Sequence, residues 1–504
     1  MKYLPFVLLF ALTARSQELS LADAIAMALA KNGDVVVERE SLHIAEATVL
    51  RAEAAYEPTL RGELRLRERT DPVNSILSGA PRGELAPTQR SFVTSASVVQ
   101  LLPTGGTVSV FSGITRDDTN SILALLTPSW TTLLGAEVRQ PLLQNRRIDP
   151  ARRAIRIAHV DRTRAISSLR RVATETTAAV ERAYWTAVAA QRDVETRQSA
   201  LEVAEKQRED TRTRIEAGTQ SEADLAQTTA EVERRRGELV VARENAERAG
   251  NALAFLTGAS GFRLPGLVAA TETPRRPPPD AAIATAIAHR ADLDELTTRL
   301  ERADIDIEAA ADRVRPQIDL VAHYSGRGLA GTRNEDAIEP FGPVVVANEI
   351  NGGLGRSFRS LDEFPDASLG VAISIPIGNT AAKQDVAIAR ALRRQSEATL
   401  EHARQRIAME VRNAIASLAS AEQRITAARA AREAAEVQLQ AERDRFEAGI
   451  SNTFFILTRQ NDLTAARVAE TVALADYRKA ETEFARATGT LLEARGISIE
   501  GGTQ

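Results

Sequence analysis

Two different periods of apolar residues run along this chain. Leu21, Ala24, Ile25, Ala28 and Leu29 recur at helical spacing, which predicts a helix with one apolar face. Ser20 is placed to cap it and Asp23 to favour its N-terminal dipole. Asn32-Gly33 interrupts the face, and a second helical stretch is expected to about Ala55. From Thr59 to Thr70 the period becomes two. Leu60, Gly62, Leu64 and Leu66 alternate with Arg61, Glu63, Arg65 and Arg67, the pattern of a strand with one apolar and one wet face. Further strands are expected at Phe92–Leu102, Thr107–Thr115, Thr131–Leu142, Gln317–Tyr324 and Ser368–Ile377. Leu102-Pro103-Thr104-Gly105-Gly106 is a turn between two of them. Pro58, Pro141, Pro316 and Pro376 mark the changes between helix and strand, because proline ends a sheet ladder and disfavours helix just before it.

The helical period then returns for long stretches. No proline or glycine lies between Pro150 and Ala217, a run of roughly 100 Å if it is one helix. Glu222–Thr257 is expected to return after Gly218. The second half repeats the plan, with about Thr380–Ala448 going out and Thr453–Ala487 coming back. Apolar stripes such as Val232, Leu239 and Leu253, or Val437, Leu439 and Phe446, must pack sideways on other helices. A ring of helices with a wet interior and a solid coiled-coil bundle both satisfy that demand.

The two halves resemble each other in detail. Ile25 and Ile283, Ala28 and Ala286, Asp34 and Asp292, and Pro58 and Pro316 all stand 258 positions apart. Pro141 aligns with Pro376, and Arg214-Ile215-Glu216-Ala217-Gly218 with Arg445-Phe446-Glu447-Ala448-Gly449. A constant offset over many residues identifies a duplicated unit. The organisation read from this is a signal peptide at 1–16, a first repeat at 17–261 and a Pro-rich linker at 262–280. A second repeat at 281–495 and a tail at 496–504 come after it. In the signal peptide, Lys2 is the charged start, Tyr3–Thr13 the apolar run and Ala14-Arg15-Ser16 the cleavage site.

Composition narrows the chemistry. The 64 Lys and Arg residues nearly balance 68 Asp and Glu, so no basic face points to a nucleic-acid partner. Cysteine is absent, which excludes disulfides, thiolate metal sites, a Cys nucleophile and lipid attachment at an N-terminal Cys. The five histidines (43, 159, 289, 323, 402) show no metal spacing. No HExxH, G-x-S-x-G or P-loop motif occurs, so no enzyme, metal or cofactor is expected. No apolar run reaches the roughly 20 residues of a membrane-spanning helix. An exported chain of this kind is periplasmic, secreted or inserted as a β-barrel.

The first-helix run LSLADAIAMALAKNGDV, the strand-to-helix segments QPLL (140–143) and SIPI (374–377), and the turns RIEAGTQSEADL (214–225) and RFEAGISNTFFIL (445–457) together resemble the TolC-like outer-membrane efflux family. The resemblance covers nearly the whole mature chain. It implies a mostly α fold with a β-barrel part: a trimeric transmembrane barrel, in contact with outer-membrane lipid, joined to a long periplasmic helical tunnel. It implies passive conduction from an inner-membrane pump and a periplasmic adaptor protein to the exterior. Family members usually give four strands each; the LLPTGG hairpin raises the expectation to six. By position, Arg214, Ala217, Gly218 and Thr219, with Arg445, Ala448, Gly449 and Ile450, would meet the adaptor. The family often has a Val-Gly-Leu-like turn where this chain has Ala before each Gly. An acidic residue about six positions past each glycine often closes the family's tunnel. Asp224 fits, but Phe455 stands at the second place, so part of the aperture would be hydrophobic unless Phe455 packs between helices. Two loops, about 70–91 and 325–366, would lie outside the cell. The second is Gly-rich and could fold inward to narrow the mouth, or be a mobile loop without that role. A secreted or surface coiled-coil protein, such as an adhesin stalk, is the alternative; it has no need of strands between its helices.

Overall fold

A computed structural model describes residues 18–70, 72, 78–259, 264, 277–338 and 350–499. The expected signal peptide and most of the expected linker lie outside these residues. Among the described residues the chain forms two compact units, one drawing on two stretches of sequence and the other on three.

The first unit comprises 45–161 and 299–395 and holds a single six-stranded sheet. The strands are β1 Thr59–Thr70, β2 Thr88–Leu101, β3 Thr107–Thr119, β4 Leu126–Pro141, β5 Gln317–Arg333 and β6 Phe364–Ser374. They pair antiparallel in chain order, β1 to β6. The expected six strands are present, but β2 to β6 extend further toward their outer loops than alternation alone shows, and β6 ends at Ser374 rather than Ile377. Cross-strand pairing carries them on: Arg90 faces Asp118 across β2 and β3, and Leu126 faces Arg333 across β4 and β5. Ladder bonds are indifferent to side-chain polarity, so polar strand ends are invisible to a hydrophobic pattern. The turn at 102–106 is closed by Leu102 N–H donating to Gly106 O at 2.8 Å and Gly105 N–H to Leu102 O at 2.9 Å. Gly105 has φ 82° there, a conformation that favours glycine.

The other unit comprises residues to 44, 162–298 and from 396. Helix α1 (Leu21–Lys31) has Ser20 as its N-cap, accepting from Asp23 N–H. Helix α2 starts at Gly33, α5 is Pro279–His289 and α6 starts at Ala291. The unit holds α4 (Glu222–Thr257), α9 (Thr453–Ala487) and most of the length of the long helices α3 (Pro150–Glu216) and α8 (Thr380–Glu447). Their ends fall within one residue of the expected turns, because glycine and Ser or Asn caps stop helices on both sides.

This unit's core is a set of seams. Leu19, Ala24, Ile25 and Ala28 pack on Val180, Tyr184, Ala187 and Val188 of α3 and Leu253 of α4. The Tyr184 hydroxyl donates to Leu19 O at 3.0 Å; burial pushes its pKa up to about 12. Leu418, Ala421 and Ile425 of α8 pack on Ala473, Tyr477 and Ala480 of α9. Alanine at many contact points lets helices approach closely, in keeping with an apolar content that is high although aromatics are few. A buried polar contact fastens the short α10 (Leu491–Ala494). Glu181 is fully buried and accepts from Arg495 Nε at 2.6 Å, Arg495 Nη2 at 2.9 Å and Thr482 Oγ1 at 2.6 Å.

Candidate functional site

The sheet has two unlike faces. Strand register puts Leu60, Leu64 and Leu66 of β1 in line with Val98, Val110, Ile114 and Leu134 of β2 to β4. Leu320, Tyr324, Leu369, Val371 and Ile373 continue this face across β5 and β6. Nearly all of these large side chains are exposed. Such a contiguous apolar area has no reason to face water. The opposite face carries Arg61, Glu63, Arg65 and Arg67 of β1, serines 91, 95 and 97 of β2, and Asp319, His323 and Ser325 of β5. Above the apolar band the same face turns polar, with Arg90 Nε 3.2 Å from Glu68 Oε1 and Arg116 stacked 5.5 Å from the Trp130 ring. An apolar belt with a charged and aromatic rim is the outer surface of a transmembrane β-barrel.

Among the described residues, β1 and β6 each have only one neighbour in the sheet. Their free edges leave backbone N–H and C=O groups without ladder partners, which hydrocarbon does not tolerate. Closure therefore requires strands beyond those of this sheet. No helix is long and apolar enough to cross a membrane among the described residues.

Residues 354–361 of the β5–β6 connection lie over the apolar face, not the polar one. Helix α7 (Leu354–Arg359) and the residues after it cover Gly326 and Gly328, on the same face as the belt. Thr132 Oγ1 donates to Ser357 O at 3.0 Å. A Cβ at Gly328 would meet Ser357 O at 1.8 Å and one at Gly326 would meet Leu361 O at 2.3 Å. These glycines let a backbone lie flat on the sheet. The inward-folded alternative is thus corrected for residues 354–361; residues 339–349 lie outside the described chain.

The proline positions sit at strand boundaries. Pro58 directly precedes β1 and Pro316 directly precedes β5, Pro141 is the last residue of β4, and Pro376 lies just past the end of β6. Proline has no N–H to give a ladder, so it suits places where pairing begins or stops.

The helical unit ends in two turns that share one geometry. In the α3–α4 turn, Gly218 has φ 74°, its N–H donates to Ile215 O and Thr219 N–H donates to Arg214 O, both at 2.9 Å. In the α8–α9 turn, Gly449 has φ 74°, its N–H donates to Phe446 O and Ile450 N–H donates to Arg445 O, both at 3.0 Å. This is a Schellman close, which uses glycine's left-handed freedom to satisfy the last carbonyls. Ala217 and Ala448 precede the glycines and are exposed. The turns touch: the Arg214 guanidinium lies 4.9 Å from the Phe446 ring, and Gln220 Nε2 donates to Thr453 Oγ1 at 3.2 Å. Neither contact is visible in sequence, since each joins residues more than 200 positions apart.

Beyond the turns the hairpins differ. Asp224 accepts from Ser221 N–H at 3.1 Å and Ser221 Oγ at 2.8 Å, capping α4. At the matching place Phe455 is half exposed and meets the Phe454 ring edge-on at 5.6 Å. Asn452 caps α9 by accepting from Phe455 N–H at 3.3 Å. Among the described residues no group of three or more metal-binding side chains converges.

An exposed belt on an open sheet, joined in one chain to long helical hairpins, defines an outer-membrane channel subunit. Residues 128–259 and 282–490, together more than half of the chain, match the model of the outer membrane efflux protein family. The chain belongs to that family. It is an outer-membrane efflux channel protein of the kind found in tripartite export systems, with its helical part in the periplasm; the family is one of channels, not enzymes. No curated protein sequence matches significantly. Among solved structures, the chain is similar to the channel protein CusC, with 18% identity, 94% of this chain and 92% of that chain covered, and a TM-score of 0.64. VceC of Vibrio cholerae shares 17% identity over 93% of this chain and 96% of its own, with a TM-score of 0.62. The open-state MtrE channel of Neisseria gonorrhoeae shares 17% identity over 94% and 89%, also with a TM-score of 0.62. At these identities the likeness speaks for the fold.

Proposed function

We propose that three copies of this chain close one barrel and one tunnel, which passively conducts cargo delivered by an inner-membrane pump through a periplasmic adaptor. The observation that carries this reading is the sheet with two free edges and one exposed apolar face. β6 of one copy would pair with β1 of the next, and the belt would contact lipid. A closed ring of identical subunits satisfies every edge.

The repeats at 17–261 and 281–495 each supply strands and one hairpin in this reading, and the linker joins them. Arg214, Ala217, Gly218 and Thr219, with Arg445, Ala448, Gly449 and Ile450, form the adaptor-contact tips. Their support is the shared Schellman geometry, which presents two equal small-residue turns side by side. Asp224 and Phe455 line the periplasmic aperture, and Pro58, Pro141, Pro316 and Pro376 set the junctions of barrel and tunnel.

Outer-membrane fractionation followed by electrophoresis with and without heating tests the assembly. A heat-modifiable trimer that conducts ions in planar bilayers is expected. A soluble monomer would sink the proposal and return the stalk alternative. Paired cysteines between position 218 or 449 and a co-expressed adaptor's tip are expected to crosslink, whereas cysteines at mid-hairpin positions such as 240 are not.

A further inference from the structure

Charge is unevenly spread over the polar face of the sheet. β1 places Arg61, Arg65, Arg67 and Arg69 there against one acid, Glu63. Their direct partners on β2 are Ser97, Val93, Ser91 and Gln89, so the next strand brings no carboxylate. Three of the four arginines lie beyond Glu63, on the half of the strand away from the 102–106 turn. On that half β5 adds Arg327 and Arg333, while the polar-face acids are Asp117 and Asp366. Asp117 already accepts from Gln89 Nε2 at 3.1 Å. The half nearer the turn is balanced: Arg139 lies 3.6 Å from Asp319, and Glu137 lies 3.9 Å from His323.

Barrel closure does not cancel the excess. In the proposed assembly the strand meeting β1 is another copy's β6. That strand's polar face offers Asp366, Ser368, Gly370, Ala372 and Ser374, a single acid. The strip would therefore recur around the lumen with positive charge outweighing negative at the outer end. Rings of arginine lining a pore favour anions through the field they project into the water.

We infer that the β1 arginine strip makes the outer half of the barrel an anion-selective mouth, so that anionic solutes pass in preference to cations of similar size. This rests on the proposed closure of the sheet with its polar face inward. A single charge about 10 Å away in water, unscreened, already changes local ion concentration about twofold, so a ring of them is expected to give roughly a threefold preference at low salt.

The test is the reversal potential of the purified full-length channel in planar bilayers across a KCl gradient. The expected wild-type result is a chloride-to-potassium permeability ratio above one that falls toward one as mean salt rises. The R65Q/R67Q/R69Q variant is expected to lose most of that preference. The R65K/R67K/R69K variant keeps the charge and should keep the preference. If the triple Gln variant does not assemble, Arg67→Glu alone at this exposed position is expected to shift the ratio the same way, by less. A wild-type ratio at or below one, a Gln variant with the wild-type ratio, or a Lys variant that behaves like the Gln variant overturns the inference. A wild-type protein that does not conduct removes the channel assembly as well, a result distinct from a conducting pore without ion preference.

Discussion

The two hairpin turns agree in backbone and part company in side chains. Gly218 and Gly449 share the same φ, and each turn is closed by the same pair of hydrogen bonds. A few residues on, one hairpin has a carboxylate tied to its own N-cap and the other a pair of exposed aromatic rings. Duplicate copies thus keep the residues that geometry demands and vary those that only the surface sees. A turn between antiparallel helices needs a residue that tolerates positive φ, which narrows the choice in both copies to glycine or, less well, asparagine. Side chains past the turn are free to specialise, and they do so where the proposed aperture lies.

The largest expected effect comes from breaking the shared part. Gly218→Val and Gly449→Val each force a branched side chain into left-handed backbone. Nothing stands within 4 Å of either new Cβ, so the cost is backbone strain alone, about 1–2 kcal/mol or somewhat more. Efflux complementation and adaptor crosslinking should fall in both variants, and to a similar degree. Gly→Asn at the same sites should be milder, because Asn tolerates this conformation. Unequal losses from the two valines would show that the turns are not equivalent in use.

Next come the caps, which differ. Asp224→Ala removes the acceptor for Ser221, and Asn452→Ala removes the acceptor for Phe455 N–H. Each should cost about 1 kcal/mol locally, read as faster hydrogen exchange in the first turns of α4 and α9 respectively. Asp224→Asn keeps an acceptor but loses charge. If Asp224 acts only as a cap, Asn should restore both exchange and conductance; if its charge lines the aperture, exchange recovers while conductance does not.

Phe455→Ala sharpens the asymmetry from the other side. A higher single-channel conductance is expected if the ring narrows the aperture, and unchanged conductance and antibiotic susceptibility would count against that role. The smallest effect is expected from Arg214→Gln, which removes the guanidinium from the Phe446 ring at a cost of about 0.5–1 kcal/mol. It should loosen the contact between the turns without altering either turn, visible as a change in Phe446 environment by NMR or fluorine labelling.

Much of the architecture was legible because it rests on local rules. The helix ends at Gly218, Ser221, Gly449 and Asn452 are written in residues whose conformational preferences are strong. β1 was legible to the residue because Leu or Gly alternates with charged residues without a break from Leu60 to Arg67. The outer parts of β2 to β6 were not, since their residues follow the ladder rather than a buried face. Long-range pairs were hidden for another reason. Nothing in a single sequence says that Glu181 is paired with Arg495, or that Arg214 meets Phe446, because such pairs depend on how helices pack. The placement of 354–361 on the belt side was also hidden. The glycines at 326 and 328 were visible, but they announce only that some backbone comes close, not from which side.

The free edges of β1 and β6 carry a genetic consequence. In a three-copy barrel each subunit completes its neighbours, so a variant that folds but cannot pair at one edge spoils every ring it enters. With equal amounts of normal and edge-defective subunits mixing at random, only about one ring in eight would be free of the defect. Edge mutations should therefore act dominantly when expressed beside the normal gene. Substitutions that stop the chain before it reaches assembly should be recessive.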